Sequence, residues 1–239
     1  MLKAVFFDLD GTLLPMDEEK FIRAYFHLLF EKVKHLGYQE EELTKAIWTG
    51  TKLMYENDGS KTNEEVFWDY FVKVYGEENL KHKKIFDDFY LNEFKNTSKM
   101  CSKNEDASKI IKDAKKLVSY LILSTNPIFP EVATLTRMSF IDLKKDDFDY
   151  ITVYENSNFC KPNPNYFKML LDKFNLKPEE VILFGNNDLE DYLCAKKAGI
   201  DCYLVSASLI IHEELKINPP IIRMDEIIDV IKKEIQLRK

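Results

Sequence analysis

The sequence predicts an α/β fold, namely a doubly wound, mostly parallel sheet with an inserted all-helical domain. Short apolar runs bounded by turn residues alternate with segments of helical periodicity, which is typical of a parallel sheet covered by helices. One long stretch after the first run has helical periodicity only. The chain has 239 residues, of which 45% are hydrophobic, so it can bury one large domain or a core with a smaller insertion.

Five apolar runs predict the strands of the sheet, at residues 3–8, 119–124, 149–154, 180–185 and 201–205. Their continuous hydrophobicity suits strands that are covered on both faces. Helical segments are expected between the later strands, near residues 104–117, 130–138, 164–175 and 189–198. This order of elements predicts a sheet wound on both faces.

The stretch from about residue 17 to residue 95 shows no strand pattern, and its apolar residues fall at helical spacing. We expect about four helices there, one of them opened by a capping box between Thr62 and Glu65. The polar run 95–104 is interpreted as the linker that returns to the core. The predicted domains are therefore a core of residues 1–15 and 100–239 and a helical insertion of residues 16–99.

Composition and charge exclude several classes of protein. The formal net charge of -7 is opposite in sign to that of a typical nucleic-acid binder. No apolar run approaches the ~18 residues of a transmembrane helix, and the N-terminal segment turns acidic too soon for a signal peptide. The four cysteines form no CxxC pair, so free thiols are expected. We therefore predict a cytoplasmic protein with neither a nucleic-acid nor a membrane partner.

The first strand ends in the run Asp8-Leu9-Asp10-Gly11-Thr12. Residues two apart in an extended chain project to the same side, so Asp8 and Asp10 can reach one pocket. That pocket would lie at the carboxyl end of a parallel strand, where open α/β sheets bind their ligands. Gly11 permits a tight exit from the strand, and backbone N–H groups around Gly11 and Thr12 can bind an anion.

Three further strand ends carry polar residues. Ser124-Thr125-Asn126 follows the second strand and offers a hydroxyl and backbone amides to phosphate oxygens. Lys161 follows the third strand and precedes the run Pro162-Asn163-Pro164. The fourth strand runs into the turn 185–191, whose Asn and acidic side chains suit a hard cation such as Mg²⁺. None of the four histidines has metal-ligand spacing.

The order of these motifs resembles the haloacid dehalogenase-like hydrolase superfamily. The resemblance rests on DLDGT, a strand-ending Ser, a lysine before Pro-Asn-Pro and an acidic turn before AxxAG, and it spans Asp8 to Asp191. It implies a Rossmann-like core, and the position of the helical insertion resembles the C1 type of cap. It further implies a phosphatase that acts on a small phosphorylated metabolite.

The resemblance also implies a role for each motif residue. Asp8 would be the nucleophile that forms an aspartyl-phosphate, and Asp10 would be the general acid and then the general base. Lys161 would neutralise charge beside Asp8. Phosphoryl oxygens would be held by Ser124 with the amides of Thr125 and Asn126, and Mg²⁺ by Asp8, the Asp10 carbonyl, Asn186 and Asp191.

One position departs from the family pattern, because Asn186 stands where the family usually has Asp. An amide oxygen attracts Mg²⁺ less strongly than a carboxylate does. The favoured hypothesis is a Mg²⁺-dependent phosphohydrolase; the alternative is a catalytically weak or inactive relative that binds a ligand or a partner. Asp10 argues against a dehalogenase, which lacks this second aspartate. Phosphonate cleavage is a lesser alternative, since it usually needs a cap lysine that we cannot identify.

Overall fold

The computed structural model describes residues 1–239 and has one six-stranded sheet of order β3-β2-β1-β4-β5-β6. Every neighbouring pair of strands is parallel. The strands are β1 (Ala4–Phe7), β2 (Tyr120–Leu123), β3 (Tyr150–Ile151), β4 (Val181–Gly185), β5 (Asp201–Val205) and β6 (Ile221–Ile222). The chain reverses its winding at β1, so the carboxyl ends of β1, β2 and β4 meet at a topological switch point.

Nine α-helices accompany the sheet. They are α1 (Glu18–Val33), α2 (Glu40–Tyr55), α3 (Asn63–Tyr75), α4 (Lys83–Leu91), α5 (Ala107–Lys115), α6 (Glu131–Ser139), α7 (Asn165–Phe174), α8 (Cys194–Lys197) and α9 (Ile227–Leu237). A π-helix, Asp188–Leu193, precedes α8. None of these helices has the length and hydrophobicity that a membrane span requires.

The central strand β1 is buried along its whole length because both faces of the sheet are covered. Side chains alternate between faces, so Val5 and Phe7 join one hydrophobic cluster while Ala4 and Phe6 join the other. Residues of α5 and α9 cover the first face, and residues of α7 and α8 cover the second. This packing explains the continuous hydrophobicity of the predicted strands.

Helices α1 to α4, which we call the helical layer, lie between β1 and β2 in the chain and build a third cluster. The cluster is rich in aromatic rings, with Tyr25 packed edge-on against Phe94 at a centroid distance of 6.0 Å. It includes Ala133 of α6, so the helical layer packs against the helix that follows β2. The predicted capping box is confirmed: the Thr62 hydroxyl accepts from Glu65 N, and the Glu65 carboxylate accepts from Thr62 N.

The predicted elements differ from the structure in four places. Strand β3 has two residues where six were predicted. Strand β6 and helix α9, which follow the last predicted strand, were not predicted. The interpretation of residues 95–104 as a plain linker is wrong in part, because Glu93–Met100 forms a 3₁₀ helix held by Phe94 and Thr97, which are buried. The four cysteines are free, as expected.

Candidate active site

Asp8 follows β1 directly, and its carboxylate is 5% exposed. The Lys161 ammonium donates to Asp8 Oδ1 over 2.8 Å, and the Thr12 hydroxyl donates to Oδ2 over 3.0 Å. Both oxygens of the predicted nucleophile are therefore oriented by named partners. Lys161 comes from the loop after β3, so two separate strand ends meet at this carboxylate.

The same lysine binds a second carboxylate. Lys161 Nζ lies 2.6 Å from Asp191 Oδ1, and Asp191 Oδ2 accepts from the backbone N–H groups of Asn186 at 2.9 Å and Asn187 at 3.0 Å. Both oxygens of Asp191 are therefore engaged. Asp191 thus holds Lys161 and closes the turn after β4, and it also lines the cavity described below, so its role as a metal ligand stays a prediction. The Asp191 side chain packs directly against the backbone of Gly185. Only glycine fits there, because a Cβ at residue 185 would lie 2.3 Å from the Asp191 side chain.

Two carboxylates share one ammonium, so the cluster of Asp8, Asp191 and Lys161 carries one excess negative charge when fully ionised. Burial raises the pKa of Asp8 to about 7, and the neighbouring Asp191 adds to this, although Lys161 opposes it. Burial by itself lowers the pKa of Lys161, but the Asp191 and Asp8 carboxylates outweigh it and raise that pKa well above its ordinary value. The lysine stays charged and the site favours an added cation.

Asp10 lies in an ion pair that the sequence analysis missed. Arg137 of α6 is 1% exposed, its guanidinium donates to Asp10 Oδ2 and to the Thr134 hydroxyl, and it lies 4.4 Å from the Phe129 ring centroid. Asp10 Oδ1 is buried and has no hydrogen-bond partner in the protein. Burial raises the pKa of Asp10, and Arg137 opposes this shift. The sequence did not indicate this ion pair, because Arg137 is a single arginine within a predicted helix.

The end of β2 corrects the predicted phosphate ligand. Ser124 is fully buried, its hydroxyl donates to the Phe7 carbonyl over 3.2 Å, and it does not line the cavity described below. Its neighbour Thr125 does line that cavity. The Thr125 carbonyl accepts from Thr152 Oγ1 at 2.7 Å and from the Tyr166 hydroxyl at 3.0 Å, which fixes the backbone of this turn. Of the two hydroxyl residues at this strand end, Thr125 is therefore the one that borders the cavity.

Gly11 and Thr12 also differ from their predicted role in substrate binding. Gly11 N donates to Leu14 O and Thr12 N donates to Leu9 O, so a turn consumes both N–H groups, and neither residue lines the cavity. In contrast, the N–H groups of Asp10, Thr125 and Asn126 have no acceptor within the protein. Unpaired N–H groups at converging strand ends are suited to bind an anion.

The Asn126 side chain positions Lys161 and links the core to the helical layer. Its Oδ1 accepts from Lys161 N at 3.2 Å, and its Nδ2 donates to Glu190 Oε2 at 3.0 Å and to the Tyr55 hydroxyl at 3.1 Å. The Tyr55 hydroxyl donates in turn to Glu190 Oε1 at 3.2 Å. Tyr55 ends α2, so the network fixes the helical layer over the strand ends. Glu190 lies in the predicted polar turn 185–191, but neither Glu190 nor Tyr55 was assigned a site role from the sequence.

Asn186 is held beside Asp8. The Thr12 hydroxyl lies 3.3 Å from Asn186 Oδ1 and 3.0 Å from Asp8 Oδ2, while Asn186 Nδ2 donates to Ser208 O over 2.7 Å. Its amide oxygen therefore points to the same side as the Asp8 carboxylate. Gly11 makes this possible, since a Cβ there would lie 2.1 Å from Asn186 Nδ2.

The donors near Asp8 suit a metal ion that also binds a substrate. No group of three or more His, Cys, Asp or Glu side chains converges to hold a metal. Asp188 is not available, because its carboxylate binds His212 through Nδ1 and the backbone N–H. The candidate ligands are the Asp8 carboxylate, the Asp10 carbonyl, which accepts no hydrogen bond, Asn186 Oδ1 and the predicted ligand Asp191. Mg²⁺ is commonly bound by one or two carboxylates together with phosphate oxygens and water, so this set fits it.

A cavity of about 380 Å³ lies between these strand ends and the helical layer. The core side of its wall includes Asp8, Asp10, Thr125, Asn126, Arg137, Lys161, Asn186 and Asp191. The opposite side comes from α1 to α4 and is mainly aromatic. The predicted acids and lysine therefore meet in one enclosed space large enough for a small organic ligand.

Comparison with known proteins gives relatives over nearly the whole chain. The glyceraldehyde 3-phosphate phosphatase of Methanothermobacter thermautotrophicus is 24% identical, over 87% of this chain and 88% of the relative. Two solved structures share the fold, each at 18% sequence identity. An HAD phosphatase of Thermococcus onnurineus has a TM-score of 0.61 and is matched over 96% of this chain and 97% of its own. The HAD-hydrolase YfnB of Bacillus subtilis, solved with magnesium bound, has a TM-score of 0.58 and is matched over 96% of this chain and 98% of its own. The family model for haloacid dehalogenase-like hydrolases matches residues 5–205, and the chain therefore belongs to that family.

Proposed function

We propose that this protein is a magnesium-dependent phosphatase that hydrolyses a small phosphate monoester through an aspartyl-phosphate at Asp8. The observation that carries the proposal is the Lys161–Asp8 contact of 2.8 Å at the floor of the cavity, with Asp10 on the same wall. A carboxylate nucleophile needs a cation beside it, because its own charge repels the phosphate. Lys161 supplies that charge in a buried position.

In the first step an Asp8 oxygen attacks phosphorus, and the bond from phosphorus to the leaving oxygen breaks. Asp10, whose pKa is raised by burial, transfers its proton to the leaving oxygen. The N–H groups of Thr125 and Asn126 and the Thr125 hydroxyl are placed to bind the phosphoryl oxygens. Such preoriented donors stabilise charge that develops in the transition state.

In the second step water attacks phosphorus, and the phosphorus–Asp8 bond breaks to release inorganic phosphate. Asp10, now ionised, takes the proton from this water and returns to its starting state. Arg137 would hold the Asp10 carboxylate in place between the steps, since its guanidinium is itself fixed by Thr134. The assigned residues thus account for every proton that the reaction moves.

Magnesium would be held by the Asp8 carboxylate, the Asp10 carbonyl, Asn186 Oδ1 and Asp191, with the substrate completing its ligands. When bound, it would supply positive charge to the transferring phosphoryl group. Three features of the chain support this assignment: the excess negative charge of the Asp8–Asp191–Lys161 cluster, the carbonyl of Asp10 without a donor, and the orientation of Asn186 by Ser208.

The predicted boundaries are kept in this proposal, in which residues 16–99 act as a cap domain. The helical layer contributes most of the third hydrophobic cluster, and Tyr55 of α2 hydrogen-bonds to Glu190 beside the strand ends. A cap of this kind excludes water from the phosphoryl group and contacts the leaving group. The cap would therefore determine which monoester is accepted.

The proposal is tested by phosphate release from p-nitrophenyl phosphate with Mg²⁺ and after its removal by a chelator. We expect turnover that requires Mg²⁺ and that Asp8→Asn abolishes, while Asp172→Asn, on the exposed face of α7, has the wild-type rate. The second candidate function, ligand binding without turnover, is favoured by the presence of Asn186 in the metal site. Binding of inorganic phosphate without any hydrolysis would support that alternative.

A further inference from the structure

The wall of the cavity opposite Asp8 is apolar and partly without a packing partner. Trp48 of α2 is 49% exposed and Ile22 of α1 is 37% exposed, and both line the cavity. Phe26 lies one helical turn from Ile22, and its ring packs against Trp48 with centroids 5.5 Å apart. These three side chains form a surface that we call the aromatic wall. Because it lines the same cavity as Asp8 and Lys161, a leaving group attached to a phosphoryl group at Asp8 can reach it.

The charges in the cavity are mostly negative. Arg137 and Lys161 are the two basic residues of its lining, and each is already paired with a carboxylate. The helical layer adds the acids Glu18 and Asp87 and no basic side chain. A second phosphate or a carboxylate on the leaving group would therefore face like charges without a cation to neutralise them.

The size of the cavity is consistent with a ring beside the phosphate. Its volume of about 380 Å³ lies at the lower end of the usual range for small-molecule sites, about 300–1,000 Å³. Aromatic side chains bind flat apolar groups by stacking and by burial of surface. Ile22 and Phe26 offer no hydrogen-bond partner to sugar hydroxyls, so these side chains favour an apolar ring over a polyol.

We propose that the substrate is a phosphate monoester whose leaving group is aromatic and carries no second anionic group. The inference rests on the proposed function, since the leaving group is defined by the transfer of the phosphoryl group to Asp8. In this proposal Trp48, Ile22 and Phe26 bind the aromatic ring of the leaving group. Asp87 and Glu18 repel leaving groups that carry an anion.

The test compares three monoesters of similar alcohol reactivity: benzyl phosphate, glycerol 2-phosphate and fructose 1,6-bisphosphate. We expect kcat/KM for benzyl phosphate to exceed that for each of the other two by about tenfold or more. Equal or better turnover of glycerol 2-phosphate or of the bisphosphate would overturn the inference while leaving the phosphatase intact. Absence of hydrolysis for every monoester, p-nitrophenyl phosphate included, would remove the proposed function and this inference with it.

Two variants test the assigned residues. Trp48→Ala should lower the ratio of kcat/KM for benzyl phosphate over glycerol 2-phosphate by about tenfold, and Asp87→Lys should raise the ratio for the bisphosphate over benzyl phosphate by a similar factor. Leu91→Ala, at a position of the same layer that is 52% exposed and away from the cavity, is the matched control and should change neither ratio. Unchanged ratios in both test variants would contradict the inference.

A direct binding measurement is independent of turnover. The chain has two tryptophans, Trp48 and Trp68, and both line the cavity. Benzyl phosphate titrated into the Asp8→Asn variant should quench or shift their fluorescence at lower concentration than inorganic phosphate does. Equal affinity for the two ligands would show that the ring contributes nothing, and so would contradict the proposal.

Discussion

Lys161 donates to Asp8 over 2.8 Å from a side chain that is 1% exposed. The same ammonium binds Asp191 at 2.6 Å, so one cation orients the proposed nucleophile and also links two strand ends. Because all three groups are buried, removing any one of them would leave a buried charge without its partner and would strongly lower the stability of the fold. Structure and chemistry therefore depend on the same three side chains.

Lys161→Met should lower kcat/KM by about 10³-fold or more, because the phosphate would meet two carboxylates with no lysine. We also expect a loss of about 3 kcal/mol in the free energy of unfolding, since a buried pair would be broken. Phosphate release and urea unfolding measure the two effects. Lys168→Met, at an exposed position of α7, is the matched control and should leave both quantities near the wild-type values. A catalytically competent Lys161→Met protein would refute the role of the lysine.

The two hydroxyls after β2 should behave differently. Thr125→Val removes a hydroxyl from the cavity wall and should lower kcat/KM by about 10²-fold. Ser124→Ala removes a bond to Phe7 O, so it should cost about 1 kcal/mol of stability and change kcat/KM little. Steady-state kinetics and unfolding of both variants separate these effects. The reverse pattern, with Ser124 essential and Thr125 dispensable, would restore the assignment made from the sequence.

Asn186→Asp should strengthen Mg²⁺ binding by about tenfold, because a carboxylate attracts the ion more strongly than an amide oxygen does. The variant loses the Nδ2 donor to Ser208 O, so its melting temperature without metal should fall. The Mg²⁺ concentration for half-maximal activity and thermal unfolding with and without Mg²⁺ measure both effects. If the wild-type protein shows no turnover and only the Asn186→Asp variant hydrolyses phosphate esters, the non-catalytic alternative would be favoured.

His212 predicts a pH dependence of stability. Its Nδ1 pairs with the buried Asp188, which raises the pKa of His212 above its ordinary value of 6.5. The pair of protonated His212 with Asp188 therefore stabilises the fold. Its contribution is complete below pH 6.5 and is lost as the pH rises through the folded-state pKa of His212. The difference in urea midpoint between wild type and His212→Gln should therefore be larger at about pH 5.5 than at about pH 9. His35→Gln, at an exposed position, provides the comparison; an equal difference at both pH values would contradict the assignment.

The fold was largely predictable because its signals are local. Continuous apolar runs such as that of β4 and the capping box at Thr62 follow from side-chain hydrophobicity and backbone hydrogen bonding over a few residues. The short strand β6 and the helix α9 were missed. Strand β6 has two residues and pairs with β5 only in the assembled sheet, so its sequence carries little periodicity.

The candidate site was predictable in part. Asp8, Asp10 and Lys161 lie at strand ends and are recognisable by their position after apolar runs. The contributions of Arg137 and Glu190 depend on tertiary contacts with Asp10 and Asn126, and no local pattern marks them. The choice between adjacent hydroxyls was wrong for a similar reason, because a shift of one residue reverses the side of the chain that faces the cavity.

The role of Asp8 as nucleophile can be measured directly in the Asp10→Asn variant. p-Nitrophenolate leaves without a general acid, so the first step should proceed in this variant while the second stalls for want of a base. With Mg²⁺ and p-nitrophenyl phosphate we predict a burst of about one p-nitrophenolate per protein and a phosphoryl group on the peptide that contains Asp8. No burst, an unmodified Asp8 and undiminished hydrolysis by Asp8→Asn would contradict the account.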